Sequence, residues 1–252
     1  MKNRDFSNGM NDELYQIIKN FDNSGNILVA GNRNLIKTFD YLGKSIAIKS
    51  FKKPIFINAF IYKFFRDSKA KRSFDNANFL ISRNIGTPKP IAFYENSNFF
   101  GIKESFYICE NLEYDFMFRK IFEGLQNPEL EKLLRATTSF SYKMHQNGIE
   151  FLDHSPGNTL IKIDQNNNYN CFLVDLNRMN FHKEMSLEAR MKNLNKLTPS
   201  TEMVAVIANE YSKLSNFPEN EIYDLLSKYV TEFYKKYDQK IYLKKKFMFW
   251  KH

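Results

Sequence analysis

The sequence predicts an α+β protein with two lobes: a small amino-terminal lobe with an antiparallel sheet and one helix, and a larger, mainly helical carboxy-terminal lobe. Short strand-like segments separated by turn residues fill the first part of the chain, whereas amphipathic segments of helical period dominate after Asn111. No Pro- or Gly-rich linker divides the 252 residues. We therefore predict one domain spanning 1–252, with lobes at 22–110 and 111–252.

Composition and charge exclude several classes of protein. Apolar residues make up 43% of the chain, which is enough for a core and argues against disorder. Cys109 and Cys171 are the only cysteines, so neither a disulfide framework nor a CxxC zinc site is expected. The start, 1–11, lacks an apolar signal core, and the longest apolar stretch, 54–62, is too short to span a bilayer. We expect a soluble or peripheral intracellular protein.

The small lobe is predicted from five strand-like segments and one helix. A turn at 31–34 separates the first two strands. The helix begins at Asp67 or Ser68, either of which can cap it, and runs to about Arg83. Its inward stripe is predicted to contain Phe74, Ala77 and Ile81. The predicted strands cover 26–30, 35–39, 45–51, 91–94 and 105–110.

The large lobe is predicted to be built mainly on helices. A strongly amphipathic segment at 128–147 ends at Gly148, a typical residue after a helix. A loop at 153–158 and a short hairpin follow. The hairpin strands are predicted at 159–163 and 171–176. Further helices are predicted at 186–197, 202–214 and 218–237.

Lys49 ends the apolar strand IAIK. Phosphoryl transfer requires a cation fixed beside the nucleotide phosphates, and this run resembles the V-A-I-K strand of kinases. By itself the run is weak evidence, because a strand that ends in Lys often only ends in a solvated side chain.

The loop DHSPGN places Asp153 and Asn158 five positions apart. In H-R-D-x-x-x-x-N loops the Asp accepts the proton of the substrate hydroxyl and the Asn holds a magnesium ion. Asp175 directly follows the apolar run FLV, where its carboxylate can chelate magnesium. The plain alternative is an Asp that initiates a turn.

The order of these parts is more informative than any one of them. Strand lysine, helix with an acid, hinge, long helix, Asp-x4-Asn loop, hairpin and strand aspartate follow one another along the chain. This ordered set predicts a protein-kinase-like fold whose catalytic core is Lys49, Asp153, Asn158 and Asp175.

The chain also resembles the Kdo/WaaP family of bacterial lipopolysaccharide kinases over most of 27–214. The residues that carry the resemblance are SKAKRSFDNANFLISRNIGTPKPIAFYE, GIEFLDHSPGNTLIK and FLVDLNRMNF. The resemblance implies ATP and Mg2+ as cofactors, and phosphorylation of a Kdo or heptose hydroxyl of the lipopolysaccharide inner core at the cytoplasmic membrane face. It further implies that Lys49 binds the nucleotide, Asp153 is the base, and Asn158 and Asp175 hold the metal.

The resemblance assigns roles to three further residues. Glu110 and Leu112 would form the hinge, whose backbone could bond adenine. Asp75 is the best candidate for the helix acid that pairs with Lys49, although it is one methylene shorter than the usual Glu.

Several positions depart from the protein-kinase pattern. Phe151 replaces the His of the H-R-D loop, the D-F-G glycine is absent after Asp175, and no G-x-G-x-x-G loop is present. Ser155 stands where protein kinases commonly have Lys, and His154 or Arg178 is the predicted replacement for that charge. The missing A-P-E segment argues against a protein substrate. His145, near the end of the long helix, is predicted to be a buried structural residue.

The carboxy-terminal run 234–252 interleaves lysines with aromatic residues. Together with the net charge of +9, this pattern predicts that a protein with a lipid-linked saccharide substrate contacts an anionic membrane peripherally. A solvated helix with a frayed tail is the alternative, and coding bias would also produce the charge. No nucleic-acid-binding motif is visible, so no nucleic-acid partner is expected.

Two other functions stay open from the sequence. One is another small-molecule or protein kinase on the same fold, because a fold does not determine a substrate. The other is a non-catalytic pseudokinase that acts as a binding module, which the poor Gly-rich loop and the short Asp75 favour. The retained Asp153, Asn158 and Asp175 disfavour it, because a scaffold has no need of all three.

Overall fold

The computed structural model describes residues 4–31, 34–51, 67–98, 101–123 and 128–249. The chain divides into two compact units, of which the first contains Met1–Glu113 and Leu173–Arg178 and the second contains Tyr114–Phe172 and Met179–His252. Asp175 and its immediate neighbours therefore belong to the first unit, although the longer segments before and after them belong to the second.

The first unit is built on a six-stranded antiparallel sheet in the order β1-β5-β6-β4-β3-β2. Its strands are β1 (Arg4–Asn8), β2 (Asn26–Ala30), β3 (Asn34–Tyr41), β4 (Lys44–Phe51), β5 (Pro90–Asn98) and β6 (Gly101–Glu110). The last five match predicted strands. β1 has the sequence RDFSN, whose polar residues show no strand pattern, and it forms one edge of the sheet by pairing with β5.

Helix α1 (Asp12–Lys19) also precedes the predicted start of the lobe. It buries Leu14 and Ile18 in a core that includes residues of β4, β5 and β6. Lys37 on β3 stabilises the turn that follows α1. Its buried ammonium group donates hydrogen bonds to the carbonyls of Phe21, Asp22 and Ser24 at 2.6, 3.1 and 3.0 Å. A charged donor satisfies backbone groups that would otherwise be costly to bury.

Helix α2 (Lys69–Ser82) is capped by Ser68, whose hydroxyl accepts a hydrogen bond from the amide of Lys71 and donates one to the buried Glu95. Its buried residues are Ala70, Ser73, Ala77 and Leu80. The prediction that Ile81 faces inward is wrong, because this side chain is 41% exposed. Leu80 takes the inward position, and one residue further along a helix turns the side chain by about 100°.

The second unit is mainly helical, as predicted. Its helices are α3 (Pro128–Gln146), α4 (Leu187–Leu194), α5 (Thr201–Leu214) and α6 (Glu219–Phe249). Its short strands are β7 (Phe116–Met117), β8 (Ile149–Phe151), β9 (Thr159–Ile163), β10 (Tyr169–Leu173) and β11 (Met179–Phe181). Two 3-10 turns cover Phe118–Glu123 and Pro156–Asn158. Within the described ranges, no helix combines the length and the apolarity needed to cross a membrane.

Gly148 directs the chain from α3 into β8. Its φ of 67° is left-handed, and a Cβ atom built there would lie 2.0 Å from the carbonyl oxygen of His182. The amide of His182 donates to the carbonyl of Gly148 at 2.8 Å, beside the pairing of β8 with β11. Only glycine fits this close approach without strain, which confirms the predicted helix end.

Several predicted boundaries are wrong by a few residues, and two of these errors have a clear physical reason. The strand predicted at 171–176 ends at Leu173, because Asp175 has a φ of 62°, which a strand cannot accommodate. The last helix extends to Phe249 rather than to 237, because nothing between these positions breaks a helix.

Candidate active site

Strand β4 and the turn after β10 bring Lys49 and Asp175 together, although they are 126 positions apart. Lys49 Nζ lies 2.6 Å from Asp175 Oδ1, and the two side chains are 12% and 33% exposed. Because both are partly withdrawn from water, their attraction is less screened than that of a surface pair. The apolar neighbours Ile46 and Ile48 are buried in the sheet core, so the strand that carries Lys49 is firmly anchored.

The carboxylate of Asp175 is held in one orientation. Its left-handed backbone is a conformation that Asp and Asn tolerate better than other non-glycine residues. Its Oδ1 also accepts a hydrogen bond from Asn177 Nδ2 at 2.7 Å. Upstream, the amide of Leu173 donates to Gly86 O at 2.9 Å and the hydroxyl of Thr87 donates to Leu173 O at 2.8 Å. Among the described contacts, the Asp175 carboxylate accepts hydrogen bonds from Lys49 and Asn177, and both bonds are made to Oδ1.

Asp75 lies on α2 and is half exposed. It accepts a hydrogen bond at 2.9 Å from Lys71, which makes a second one of 2.9 Å to Asp67. Among the described contacts the ion pair of Lys49 is with Asp175. The pairing of Asp75 with Lys49 stays a prediction.

The predicted hinge follows β6. The amide of Glu110 donates to Lys89 O at 2.9 Å, and the amide of Asn111 donates to Ser45 O at 3.0 Å. These amides are engaged within the first unit. The adenine-binding roles of Glu110 and Leu112 stay predictions.

Asp153 and Asn158 belong to one closed loop in the second unit, as their spacing predicted. The Nδ2 of Asn158 donates to the carbonyl of Asp153 at 2.9 Å, and the amide of His154 donates to Phe151 O at 3.0 Å. Since Nδ2 of Asn158 donates this bond within the loop, its Oδ1 is left as an acceptor. An amide oxygen is an atom suited to bind a cation.

A chain of buried hydrogen bonds supports this loop where the H-R-D histidine is missing. Asn193 Nδ2 donates to the carbonyl of Phe151 at 2.8 Å, and its Oδ1 lies 3.1 Å from His145 Nε2. The other ring nitrogen of His145 lies 3.0 Å from the hydroxyl of Tyr211. Since the Asn193 oxygen can only accept, Nε2 of His145 donates and Nδ1 accepts from Tyr211. The predicted structural role of His145 is confirmed.

Lys196 holds the next carbonyl of the same loop. Its Nζ lies 2.6 Å from the carbonyl oxygen of Leu152, directly before Asp153. The sequence analysis missed both Asn193 and Lys196, because neither belongs to a recognisable motif and both act on backbone atoms more than 40 positions away.

His154 does not supply the charge missing at Ser155. Its ring is buried, and burial lowers its pKa to about 3. The hydroxyl of Ser141 donates to Thr137 O at 2.8 Å, so it accepts from His154 Nε2 at 2.9 Å, as it would from a neutral ring. The predicted replacement by His154 is therefore wrong, and the role of Arg178 stays a prediction.

The two buried histidines predict an acid-sensitive fold. Burial lowers the pKa of His145 from 6.5 to about 4 and that of His154 to about 3. Between those values and 6.5 the unfolded chain binds more protons than the folded one, so stability falls as the pH drops. We expect a loss of the order of 3 kcal/mol per ring by pH 4.

Urea unfolding at several pH values between 7 and 4 measures this slope. His154→Asn removes one titrating ring while its amide can still donate to Ser141. Its stability should fall less steeply with acid than that of the wild type. Equal slopes for the two proteins would contradict the assignment of a neutral, buried His154.

Each unit offers oxygen atoms of the type that hard divalent cations prefer: the Asp175 carboxylate in the first and the Asn158 amide oxygen in the second. Among the residues with described positions, no group of three or more His, Cys, Asp or Glu side chains could hold a metal. In kinases, nucleotide phosphates and water complete the shell of the magnesium ion.

Comparisons with known proteins agree with this chemistry. The family model "Lipopolysaccharide kinase (Kdo/WaaP) family" matches residues 32–229, which is well over half of the chain. The solved structure "WaaP in complex with acyl carrier protein" is similar with a TM-score of 0.62 and 14% identity, over 95% of this chain and 99% of that chain. The predicted kinase-like fold is thereby confirmed.

A weaker likeness is to the structure of a Stt7 homologue from Micromonas algae soaked with ATP. The TM-score is 0.42 at 13% identity, over 61% of this chain and 48% of that chain. The comparison with curated protein sequences gave no match.

Proposed function

Because this chain belongs to the lipopolysaccharide kinase (Kdo/WaaP) family, we propose that it transfers the γ-phosphoryl group of Mg-ATP to a Kdo or heptose hydroxyl of the lipopolysaccharide inner core. The family makes the chain a kinase; the nucleotide, the metal and the sugar are the proposed part. The observation that carries the proposal is the 2.6 Å contact between Lys49 Nζ and Asp175 Oδ1. In kinases a fixed ammonium group binds the nucleotide phosphates and a nearby fixed carboxylate binds the metal ion, and Lys49 and Asp175 supply these two groups side by side.

We assign the steps of the reaction as follows. Asp153 accepts the proton of the acceptor hydroxyl as the oxygen attacks the γ-phosphorus, and the bond to the β–γ bridging oxygen breaks to release ADP. Lys49 donates to the phosphates and reduces their repulsion of the incoming oxygen. Asp175 and Asn158 are the residues that would hold a metal ion, which when bound would supply further positive charge to the phosphates.

The test is phosphate transfer from radiolabelled ATP to purified Kdo-lipid A and to a heptose-containing core, with an aminoglycoside and a generic protein as competing acceptors. We expect label on a lipopolysaccharide acceptor only, and mass spectrometry of the product should show one added phosphate. Label on the aminoglycoside or the protein alone would establish the alternative, another kinase on the same fold. No transfer to any acceptor, with no stabilisation by Mg-ATP, would contradict the proposal.

We also propose that the exposed end of α6 contacts an anionic membrane at the cytoplasmic face, beside a lipid-linked substrate. Tyr237, Ile241, Tyr242 and Leu243 are 51%, 37%, 66% and 50% exposed there. Exposed lysines surround them at 235, 236, 240, 245 and 246. Aromatic and aliphatic side chains among lysines are suited to an anionic lipid headgroup layer.

Reversal of two of these charges should weaken membrane binding. Each lysine near an anionic surface contributes about 1 kcal/mol, so Lys245→Glu with Lys246→Glu should reduce binding to anionic vesicles at least about tenfold. The matched control is Lys162→Glu with Lys183→Glu, which reverses two exposed charges outside α6. Sedimentation with vesicles of anionic and of neutral lipid measures the effect. Equal binding by wild type, both variants and a chain truncated after Lys240 would end the proposal.

A further inference from the structure

We propose that Arg72 and Asn76 on α2 are positioning residues that hold the Asp175 turn in the orientation its carboxylate needs. Helix α2 would then act on the metal-binding residue through hydrogen bonds to backbone carbonyls, independently of any contact between Asp75 and Lys49. The inference rests on the proposed function, in which Asp175 holds the metal.

Two consecutive carbonyls after Asp175 are bound by one face of α2. Arg72 Nη1 donates to the carbonyl of Asn177 at 2.6 Å, and Asn76 Nδ2 donates to that of Leu176 at 2.6 Å. Residues four apart lie on the same face of a helix, so the two donors form one row. The row matches two consecutive carbonyls that directly follow the left-handed Asp175.

Asn177 links the hydrogen bonds from α2 to the carboxylate of Asp175. Leu176 and Asn177 are only 2% and 8% exposed, so water cannot readily replace a lost donor. The side chain of Asn177 donates to Asp175 Oδ1 at 2.7 Å, while its own backbone carbonyl is bound by Arg72. A shift of this residue would therefore turn the carboxylate away from Lys49.

The position of Arg72 in α2 is electrostatically unfavourable for a positive charge. It lies in the first turn of α2, which contains no acidic residue, and a positive charge there opposes the helix dipole. Its Nε is within 3.2 and 3.3 Å of the carbonyls of Asp67 and Ser68, which fixes the direction of the guanidinium group. The hydrogen bond from Arg72 to the carbonyl of Asn177 explains why a positively charged side chain is found at this position, which the helix dipole alone would not favour.

Arg72→Met and Asn76→Ala should weaken metal binding without removing nucleotide binding. Groups that orient a metal ligand typically affect metal affinity or activity by about 10- to 100-fold. We expect Mn2+ affinity, measured by electron paramagnetic resonance with a non-hydrolysable ATP analogue, to fall about tenfold and kcat at least as much. The affinity for the analogue without metal should change less than about twofold, because Lys49 is unaltered.

The matched controls are Asn78→Ala on the same helix and Arg83→Met at its carboxy-terminal cap. Arg83 lies over the ring of Phe79, and Asn78 bonds only the carbonyl of Phe74 within the described contacts. Thermal unfolding of all four variants separates a loss of fold from a loss of positioning. The inference is overturned if the variants and their controls bind Mn2+ equally, or if Mn2+ affinity falls only in proportion to the unfolded fraction.

The failure of this inference can be told from that of the proposed function. If Asp175→Asn abolishes Mn2+ binding and activity whereas Arg72→Met and Asn76→Ala match the wild type, only the positioning role fails. If Asp175→Asn also binds Mn2+ and transfers phosphate like the wild type, the proposed metal site itself is wrong.

Discussion

Asp175→Asn should reduce kcat at least about 100-fold while leaving the chain folded. Asn tolerates the left-handed backbone of position 175, and its amide oxygen can still accept from Lys49 and Asn177. The substitution removes the negative charge that the metal and the Lys49 ammonium require. Loss of one preorganised electrostatic group typically costs about 10²- to 10³-fold in rate. Transfer of labelled phosphate as a function of Mg2+ concentration measures the effect.

Asp164→Asn is the matched control for this variant. Asp164 is an exposed turn residue whose Oδ1 accepts from the amides of Asn166 and Asn168 at 2.9 Å, bonds that an Asn can also make. An Asn would lose the bonds that Oδ2 accepts from the side chains of Asn168 and Asn170 at 3.1 and 3.5 Å. The control should keep wild-type activity, and its melting temperature shows whether it is as well folded as Asp175→Asn. If Asp175→Asn keeps more than about a tenth of the wild-type kcat, Asp175 is not the metal ligand proposed here.

Asp153→Asn should reduce kcat by about 10²- to 10⁴-fold, the range typical of a lost general base. The loop itself should persist, because Asn158 binds the backbone carbonyl of residue 153 rather than its side chain. Nucleotide affinity should therefore stay within about twofold of the wild type, which makes this a loss of kcat rather than of binding. Single-turnover transfer and equilibrium binding of an ATP analogue measure the two quantities.

Glu150→Gln provides the comparison three positions upstream. Glu150 bonds Asn180 and His182 at 2.9 and 2.8 Å across the β8–β11 pair, so its loss alters charge near the loop without touching the proposed base. It should retain activity. Equal activity of Asp153→Asn and Glu150→Gln would remove Asp153 from the mechanism, as would a parallel loss of kcat and nucleotide binding in Asp153→Asn.

Local patterns predicted most of the secondary structure. The alternation in IAIK placed β4, and the row of apolar residues on α3 predicted a helix whose Leu133, Leu134 and Met144 are buried. β1 was not predicted, because its polar residues give no alternating apolar pattern. This edge strand forms through its backbone hydrogen bonds to β5 rather than through burial of an apolar face. The inward direction of α2 was misjudged at Ile81 for a related reason, since several registers of a short helix fit the same pattern.

The sequence alone supplied the candidate residues for the chemistry and their order along the chain, because strand, helix and loop signals depend on neighbours a few positions apart. It predicted Lys49 on a strand, and Asp153 with Asn158 in one loop. Tertiary structure decided which partners these residues have: Asp175 for Lys49, Asn193 for the carbonyl of Phe151, and α2 for the turn after Asp175. Such contacts join residues 42 to 126 positions apart through single hydrogen bonds to backbone or carboxylate oxygens. These contacts produce no periodic pattern in the sequence, because they form only when distant segments pack together in the folded chain.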